Sequence, residues 1–420
     1  MAGVDIGLHA DTGLARSVRE LALEGYEGPG KTCYQSREEC VWLTDAGSRL
    51  WLDTGDAAAA EKVWAAEMEA LTTNNTLVNQ VVQTGAMDTL IGYAGRRIRE
   101  ACPDMADHDL VVEIAFLVNT RLALSLVQKF GAHVSVEVHP DLGFDVEGTL
   151  IFARRYYEIS PDFFYIKVPL TPDGFVAARK LSREGIPVNF TLGFSARQNY
   201  LAARFSQPAF VNVFLGRLNS LVEENALGSP ENVGEKAALA SSEAVRSLRA
   251  AHAEIRTRQI AASMRSGQQV ITLAGMDVLT IPPKAVGEYL EMDVKQEDVR
   301  RLRSDDLEVD LDTGKPESRG LKALWEIDER FIDFTEDAVN RADTMSGGRD
   351  LVELSRKHDA GLFREWTKQE RARIRETGKI PDLSQWPGAP IDDAMSISAL
   401  ESFAKDQVAL DGRIRELLRA

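Results

Sequence analysis

Hydrophobic positions along this chain come in short runs separated by longer stretches of helical period. Between Leu50 and Pro283 eight runs read as strands: Leu50–Thr54, Ala70–Asn74, His133–Val138, Phe163–Val168, Pro187–Leu192, Ala209–Phe214, Arg258–Met264 and Asp277–Ile281. Each is four to eight residues long and rich in β-branched or aromatic side chains, as buried strands are. Helical stretches lie between them. Pro172 to Glu184 is the clearest, with Thr171 as N-cap, Pro172 in the first helical position and Gly185 as the stop. Eight strand–helix units predict an α/β protein, a (β/α)8 TIM barrel with ligands at the C-terminal strand ends; a doubly wound sheet is the alternative.

The barrel is expected over 49–292, behind an N-terminal arm of 1–48. In the arm, Leu14, Val18, Leu21 and Ala22 share one helix face. Gly25-Tyr-Glu-Gly-Pro-Gly-Lys-Thr32 matches a Walker A phosphate loop letter for letter. That motif needs a strand before it and an apolar helix after it. Here it follows a polar helix and precedes Cys-Tyr-Gln-Ser-Arg-Glu-Glu, so we read a glycine-proline turn. Residues 293–420 form a charged linker or surface helix (293–320) and a helical C-terminal extension packed on the barrel. Its helices are expected over Leu321–Ala342, Leu351–Arg375 and Ile397–Leu418, the last burying Leu400, Phe403, Val408, Ile414 and Leu417, with an extended crossing at Ile380–Pro390.

Strand parity exposes the candidate chemistry, because side chains alternate faces. In Phe163-Phe-Tyr-Ile-Lys-Val168, Lys167 shares a face with Tyr165. A buried ammonium is expensive unless paired, and an amine with a free lone pair attacks carbonyls to form a Schiff base. Val134-Ser-Val-Glu-Val138 sets Ser135 and Glu137 opposite its valines, Val188-Asn-Phe-Thr-Leu192 sets Asn189 and Thr191 opposite its apolar face, and Asp53 shares a face with Trp51. Ser263 and Arg265 oppose Ile260, Ala262 and Met264. Five strands then aim polar groups at one centre: a lysine, two carboxylates, amides and hydroxyls. That inventory suits Schiff-base chemistry, with carboxylates moving the protons.

Composition narrows the rest. The net charge of −16 argues against nucleic acid or an anionic membrane as partner. Cys33, Cys40 and Cys102 form no metal pattern and no even disulfide set, which favours a reducing cytoplasm. The start of the chain carries Asp5 and no long apolar run, so neither a signal peptide nor a membrane span is expected. No metal and no cofactor are called for, and a homodimer is the assembly considered.

The chain resembles the transaldolases. The carriers are Asp53-Thr-Gly-Asp56, Thr72-Thr-Asn74, Val136-Glu-Val138, Ile166-Lys-Val-Pro169, Gly185-Ile-Pro-Val-Asn-Phe-Thr-Leu192, Phe214-Leu-Gly-Arg217, Ala262-Ser-Met-Arg265 and, in the last helix, Phe403-Ala-Lys-Asp-Gln-Val-Ala-Leu410. The resemblance implies a Schiff-base enzyme acting on sugar phosphates, with Lys167 as the nucleophile. It implies Asp53 as acid/base for C–C cleavage and Glu137 with Thr191 as holders of a catalytic water. Asn74 and Asn189 would bind the dihydroxyacetone unit, and Arg217, Ser263 and Arg265 the phosphate. The chain departs from the family in having Asn75 where proline is usual, Asn212 where a small serine is usual, a longer arm and an expanded 293–395. Phe214 separates a transferase from an aldolase of the same superfamily, for which a tyrosine is expected there. A barrel that only binds sugar phosphate is a third, non-enzymatic reading.

Overall fold

The eight apolar segments pair edge to edge, each with its sequence neighbour and the eighth with the first. The computed structural model describes residues 6–419; Asp5 and the rest of 1–5 lie outside the described residues, as does Ala420. The strands are β1 Arg49–Asp53, β2 Met68–Thr72, β3 His133–Glu137, β4 Phe164–Pro169, β5 Val188–Thr191, β6 Phe210–Phe214, β7 Arg258–Ala262 and β8 Val278–Ile281, all parallel in a closed barrel. With helices between the strands this is a (β/α)8 TIM barrel. β2 lies two residues earlier than expected because Asn74 leaves the sheet to cap a helix.

Register places side chains two residues apart on the same inner face. Trp51, Tyr165 and Phe210 meet inside the barrel: Trp51 stacks on Tyr165 at 5.4 Å, and Phe210 packs edge-on to both at 4.7 and 5.0 Å. His133 stacks on Tyr165 at 4.9 Å. This aromatic layer closes the barrel below the polar residues that follow on the same strands.

One parity expectation fails. On β7 the residues facing the central cavity are Ile260 and Ala262, not their polar neighbours. Gln259 points outward, where its carboxamide oxygen bonds Ser241 and Asn199. Ser263 nevertheless reaches the cavity because it lies beyond the strand end with φ 63°, a left-handed turn that breaks the alternation.

The arm and extension wrap the barrel. Helix α1 (Thr12–Leu23) buries Leu14, Val18, Leu21 and Ala22, the predicted face, and packs on α3 (Asp107–Phe130), with α2 (Asn75–Gln83) between them in sequence. Helix α3 is long and apolar enough to cross a membrane, yet nearly all of it is covered by α1, β3 and neighbouring helices. His9 lies buried between Glu113 and Asp109 (2.5 and 3.1 Å), and Glu113 also accepts a two-pronged bond from Arg155. The Walker-like glycines form irregular chain between helices. Gly30 donates to Val127 O at 3.1 Å, and a Cβ there would fall 2.4 Å from Gln128 O, so glycine permits this docking.

Residues 293–320 are neither a free linker nor a continuous helix; Lys236 and Glu243 bond their backbone at Ser304, and Arg301 bonds Gly275 O. The two long helices expected next are each interrupted. Asp328 caps a helix at Glu329–Arg341, and Thr367 with Glu370 caps another at Lys368–Thr377. The final helix α5 begins earlier than expected, at Ile391, and runs to Arg419, preceded in our numbering by α4 (Leu215–Glu224). It buries Leu400, Phe403 and Ile414, whereas Val408 is exposed.

Candidate active site

At the C-terminal end of the barrel is a cavity of ≈ 170 Å³. It gathers Asp53, Asn74, Lys167, Asn189, Asn212, Phe214, Arg217 and Ser263, eight of the eleven residues expected there. Glu137 and Thr191 are buried close by rather than in its lining, and Arg265 stands outside, exposed.

Strand pairing sets the centre. Glu137, Lys167 and Asn189 are cross-strand partners on β3, β4 and β5. Lys167 Nζ donates to Thr73 O at 2.9 Å and lies 3.4 Å from Glu137 Oε2. The amine is therefore buried but paired, which is how a buried cation is tolerated. Burial raises the Glu137 carboxyl above its ordinary range, and Lys167 opposes the rise. Glu137 Oε2 and Thr191 Oγ1 are buried with no hydrogen-bond partner among the described residues. Each can accept from a small polar ligand.

Asp53 sits across the cavity. Burial raises its carboxyl, while Lys167 and then the Thr72 hydroxyl hold it back. Thr72 Oγ1 donates to Asp53 Oδ1 at 2.8 Å and meets Thr280 Oγ1 at 2.8 Å. Thr72 has one hydroxyl proton and gives it to the carboxylate, so Thr280 is the donor in the second bond. Asn74 spends its Oδ1 on capping α2 through Leu77 N–H, leaving its Nδ2 donors for a ligand. Asn189 bonds Ser135 Oγ at 3.1 Å. Asn212 accepts from Gly193 N–H at 3.3 Å and reaches Asn189 Oδ1 at 3.5 Å.

The cationic end is built from β6, β7 and the extension. Arg217, on the first turn of α4, is buried, lies over the Phe403 ring at 5.5 Å and donates to Lys379 O at 3.3 Å. Burial, then the nearby Arg265, pull its pKa down to about 10, so it stays charged at neutral pH. Arg265 itself bonds Ser220 Oγ at 2.7 Å. Gly216 makes the close approach possible: a Cβ there would sit 2.2 Å from Ser263 O and 2.7 Å from Arg265 Nε. A bare backbone therefore lets the turn after β7 lie against α4.

Sequence reading missed Thr76, Leu77, Thr280, Lys379 and Phe403 as lining residues, along with the Thr72 bond to Asp53. Thr72 and Phe403 lay within recognised stretches, and Thr280 is a polar residue at a strand's C-terminal end. Nothing local marks Lys379, which arrives from the extension.

A lysine amine between two raised carboxyls, capped by amides and a cationic rim, can add to a carbonyl and move protons around it. The sequence profile of the Transaldolase/Fructose-6-phosphate aldolase family matches residues 50–324. A transaldolase of Rhizobium rhizogenes is 31% identical over 332 residues, 76% of this chain and 93% of that protein. One of Rhizobium etli is 29% identical over 297 residues, 68% of this chain and 85% of that protein. A probable transaldolase of Nitrosopumilus maritimus is 32% identical over 162 residues, 38% of this chain and 64% of that protein. The barrel strands, Arg49 apart, and all of the cavity lining except Lys379 and Phe403 fall in the matched stretch, and the chain belongs to the transaldolase/fructose-6-phosphate aldolase family.

Proposed function

We propose that this protein is a transaldolase, moving a three-carbon dihydroxyacetone unit between sugar phosphates through a Schiff base on Lys167. The reaction assigned is sedoheptulose 7-phosphate plus glyceraldehyde 3-phosphate giving erythrose 4-phosphate plus fructose 6-phosphate. The observation that carries the proposal is the paired, buried Lys167 amine facing both Glu137 and Asp53.

In this scheme Lys167 gives a proton to Glu137, 3.4 Å away, and the neutral Nζ adds to the ketose carbonyl. Glu137 and Thr191 hold the water that carries protons as the carbinolamine loses its hydroxyl. Asp53 accepts the proton of the C4 hydroxyl while the C3–C4 bond breaks, and that bond's electron pair moves into the iminium to form an enamine. The enamine then attacks an acceptor aldehyde, and hydrolysis frees the lysine. Asn74 and Asn189 bind the dihydroxyacetone hydroxyls. Arg217, Ser263 and Lys379 receive the phosphate, with Arg265 supporting through charge at longer range. No cofactor or metal takes part.

Transfer is favoured over simple aldol cleavage by Phe214. Its ring lines the cavity and packs edge-on to Phe194 at 6.0 Å, so it offers no hydroxyl to hold a protonating water. The Asn212 amide accepts from Gly193 N–H and points one N–H at Asn189, and its second N–H is the group here that could hold such a water. Borohydride reduction with fructose 6-phosphate should add a three-carbon unit to the peptide containing Lys167, and donor consumption should accelerate on adding erythrose 4-phosphate. Labelling of a different lysine, or no adduct, would overturn the Schiff-base assignment. Rapid acceptor-independent release of dihydroxyacetone would favour the aldolase.

A further inference from the structure

Glu137 also borders a second polar space, which the scheme above does not use. Beside it lies a small chamber lined by Asn75, Asn119, His139, Tyr156 and Gln407 among apolar residues of α3. About 10 Å³ is open there to the centre of a water-sized sphere, the room one water molecule needs. Four buried side chains on this chamber carry atoms without a hydrogen-bond partner among the described residues: both ends of the Asn75 amide, His139 Nε2, Gln407 Oε1 and Glu137 Oε2. Asn75 and Gln407 are only 1% and 2% exposed. Leaving so many buried polar atoms unsatisfied costs more than ordering a water.

The partners these side chains already have orient the rest. Gln407 Nε2 donates to Asp411 Oδ1 at 2.8 Å, which leaves its oxygen for the chamber. His139 Nδ1 accepts from Asp141 N–H at 3.2 Å, and burial favours the neutral ring, so the proton sits on Nε2. The chamber then presents two donor atoms, His139 Nε2 and Asn75 Nδ2, and three acceptors, Gln407 Oε1, Glu137 Oε2 and Asn75 Oδ1. One water, with two hydrogens and two lone pairs, can engage both donors and two of the acceptors.

We propose that Asn75, His139 and Gln407 hold a single structural water against the back of Glu137, and that this water's hydrogen bond keeps the carboxylate ionised and in position. The role rests on the reading of Glu137 as a holder of the proton-carrying water, and it makes Asn75, His139 and Gln407 positioning residues. The charged and titratable groups facing Glu137 are Lys167 on β4, Asp53 on β1, Arg217 on α4, His139 after β3 and Tyr156 on the helix Val146–Ile159. Oε2 lies 3.4 Å from Lys167 Nζ, and among the described residues no chamber side chain bonds it directly.

The test is the titration of Glu137 itself, by carbon-13 NMR of protein labelled at the glutamate carboxyl, with the resonance assigned by its loss in Glu137→Gln. Asn75→Leu should move the Glu137 pKa up by about one pH unit, since a hydrogen bond to a charged group favours the charged form on that scale. The acid limb of kcat/KM should move with it. Donor KM should stay within about twofold, because Arg217 and Ser263 are untouched. Gln407→Met should shift the titration the same way and serves if Asn75→Leu does not fold. A crystal structure of the unaltered protein should show water density bonded to Glu137 and Asn75. Absence of that density, or an unchanged Glu137 titration in the folded variants, would overturn the proposal. The NMR result does not depend on turnover, so failure of the transaldolase reading would show separately, as no borohydride adduct.

Discussion

Two layers of the same barrel, one step apart on the same strands, follow opposite rules. Trp51, Tyr165 and Phe210 fill the lower interior, and two residues later Asp53, Lys167 and Asn212 line the cavity. The lower layer is held by ring packing at 4.7 to 5.4 Å, and its polar exception is the Trp51 indole N–H, buried with no hydrogen-bond partner among the described residues. The upper layer holds two carboxyls raised by burial, and Thr191 Oγ1 and Glu137 Oε2 have no hydrogen-bond partner among the described residues, although Oε2 lies 3.4 Å from Lys167 Nζ. One layer stabilises the barrel, and the other spends part of that stability on holding reactive groups dry. Strand alternation puts both on the inner face, so the aromatic floor also fixes how deep the polar layer sits.

The sharpest way to break the upper layer without touching the lower is Asp53→Asn. The amide keeps the Thr72 bond and loses the acid/base group, so turnover should fall by roughly 10²–10⁴-fold. Stability should move the other way. Burial raises the folded pKa of Asp53, so its contribution is fully present below the unfolded value and is lost as pH rises through the folded one. Asn does not titrate. Urea unfolding should therefore give similar stabilities for wild type and variant at acid pH, with the variant more stable at neutral pH. A variant less stable at neutral pH would contradict the cost assigned to the upper layer.

The reciprocal test is Trp51→Ala. Loss of a buried ring from the floor should cost roughly 3–5 kcal/mol of stability, read from the urea midpoint at unchanged m-value. Borohydride trapping at Lys167 should survive wherever the variant remains folded. A stability loss below about 1 kcal/mol would remove the floor from its structural role.

Arg217 and Arg265 look alike in sequence but differ in burial, which sharpens the contrast at the cavity rim. Arg217→Ala should weaken a phosphorylated donor by roughly 2–5 kcal/mol, as expected when one partner of a buried charged pair is truncated. Arg265→Ala should lose less, since its guanidinium is exposed and bonds Ser220. Measured donor affinities that fall equally for both, or equally with a non-phosphorylated donor, would count against the phosphate role.

The smallest effect belongs to Lys379. It is exposed, and Lys379→Ala should weaken the phosphorylated donor by roughly fivefold or less, an effect that fades as salt is raised. Its backbone carbonyl still receives Arg217, so the buried guanidinium should keep its place. A loss as large as that of Arg217→Ala would mean that the extension is part of the essential phosphate site.

What the sequence determined by itself is whatever repeats with a short period. Short apolar runs marked the eight strands, alternation by twos along them aligned Glu137, Lys167, Asn189 and Asp53 toward one centre, and the helical period marked Leu14, Val18 and Leu21. The arrangement of residues 1–48 and 293–420 around the barrel, and the cavity's outer rim, were decided by tertiary structure. Ile260 and Ala262 occupy the inner face of β7, and Ser263 reaches the cavity through a left-handed turn, which no alternation rule contains. Lys379 joins Arg217 across more than 160 residues of chain, and Gln407 joins Asn75 and His139 across a wider gap still. The physical reason is the range of the forces involved. Backbone pleat and helix pitch act between near neighbours, so their imprint is written locally. Which distant carbonyl receives a buried guanidinium, and which side chains share one chamber, depends on how the closed barrel and its extension fill space together.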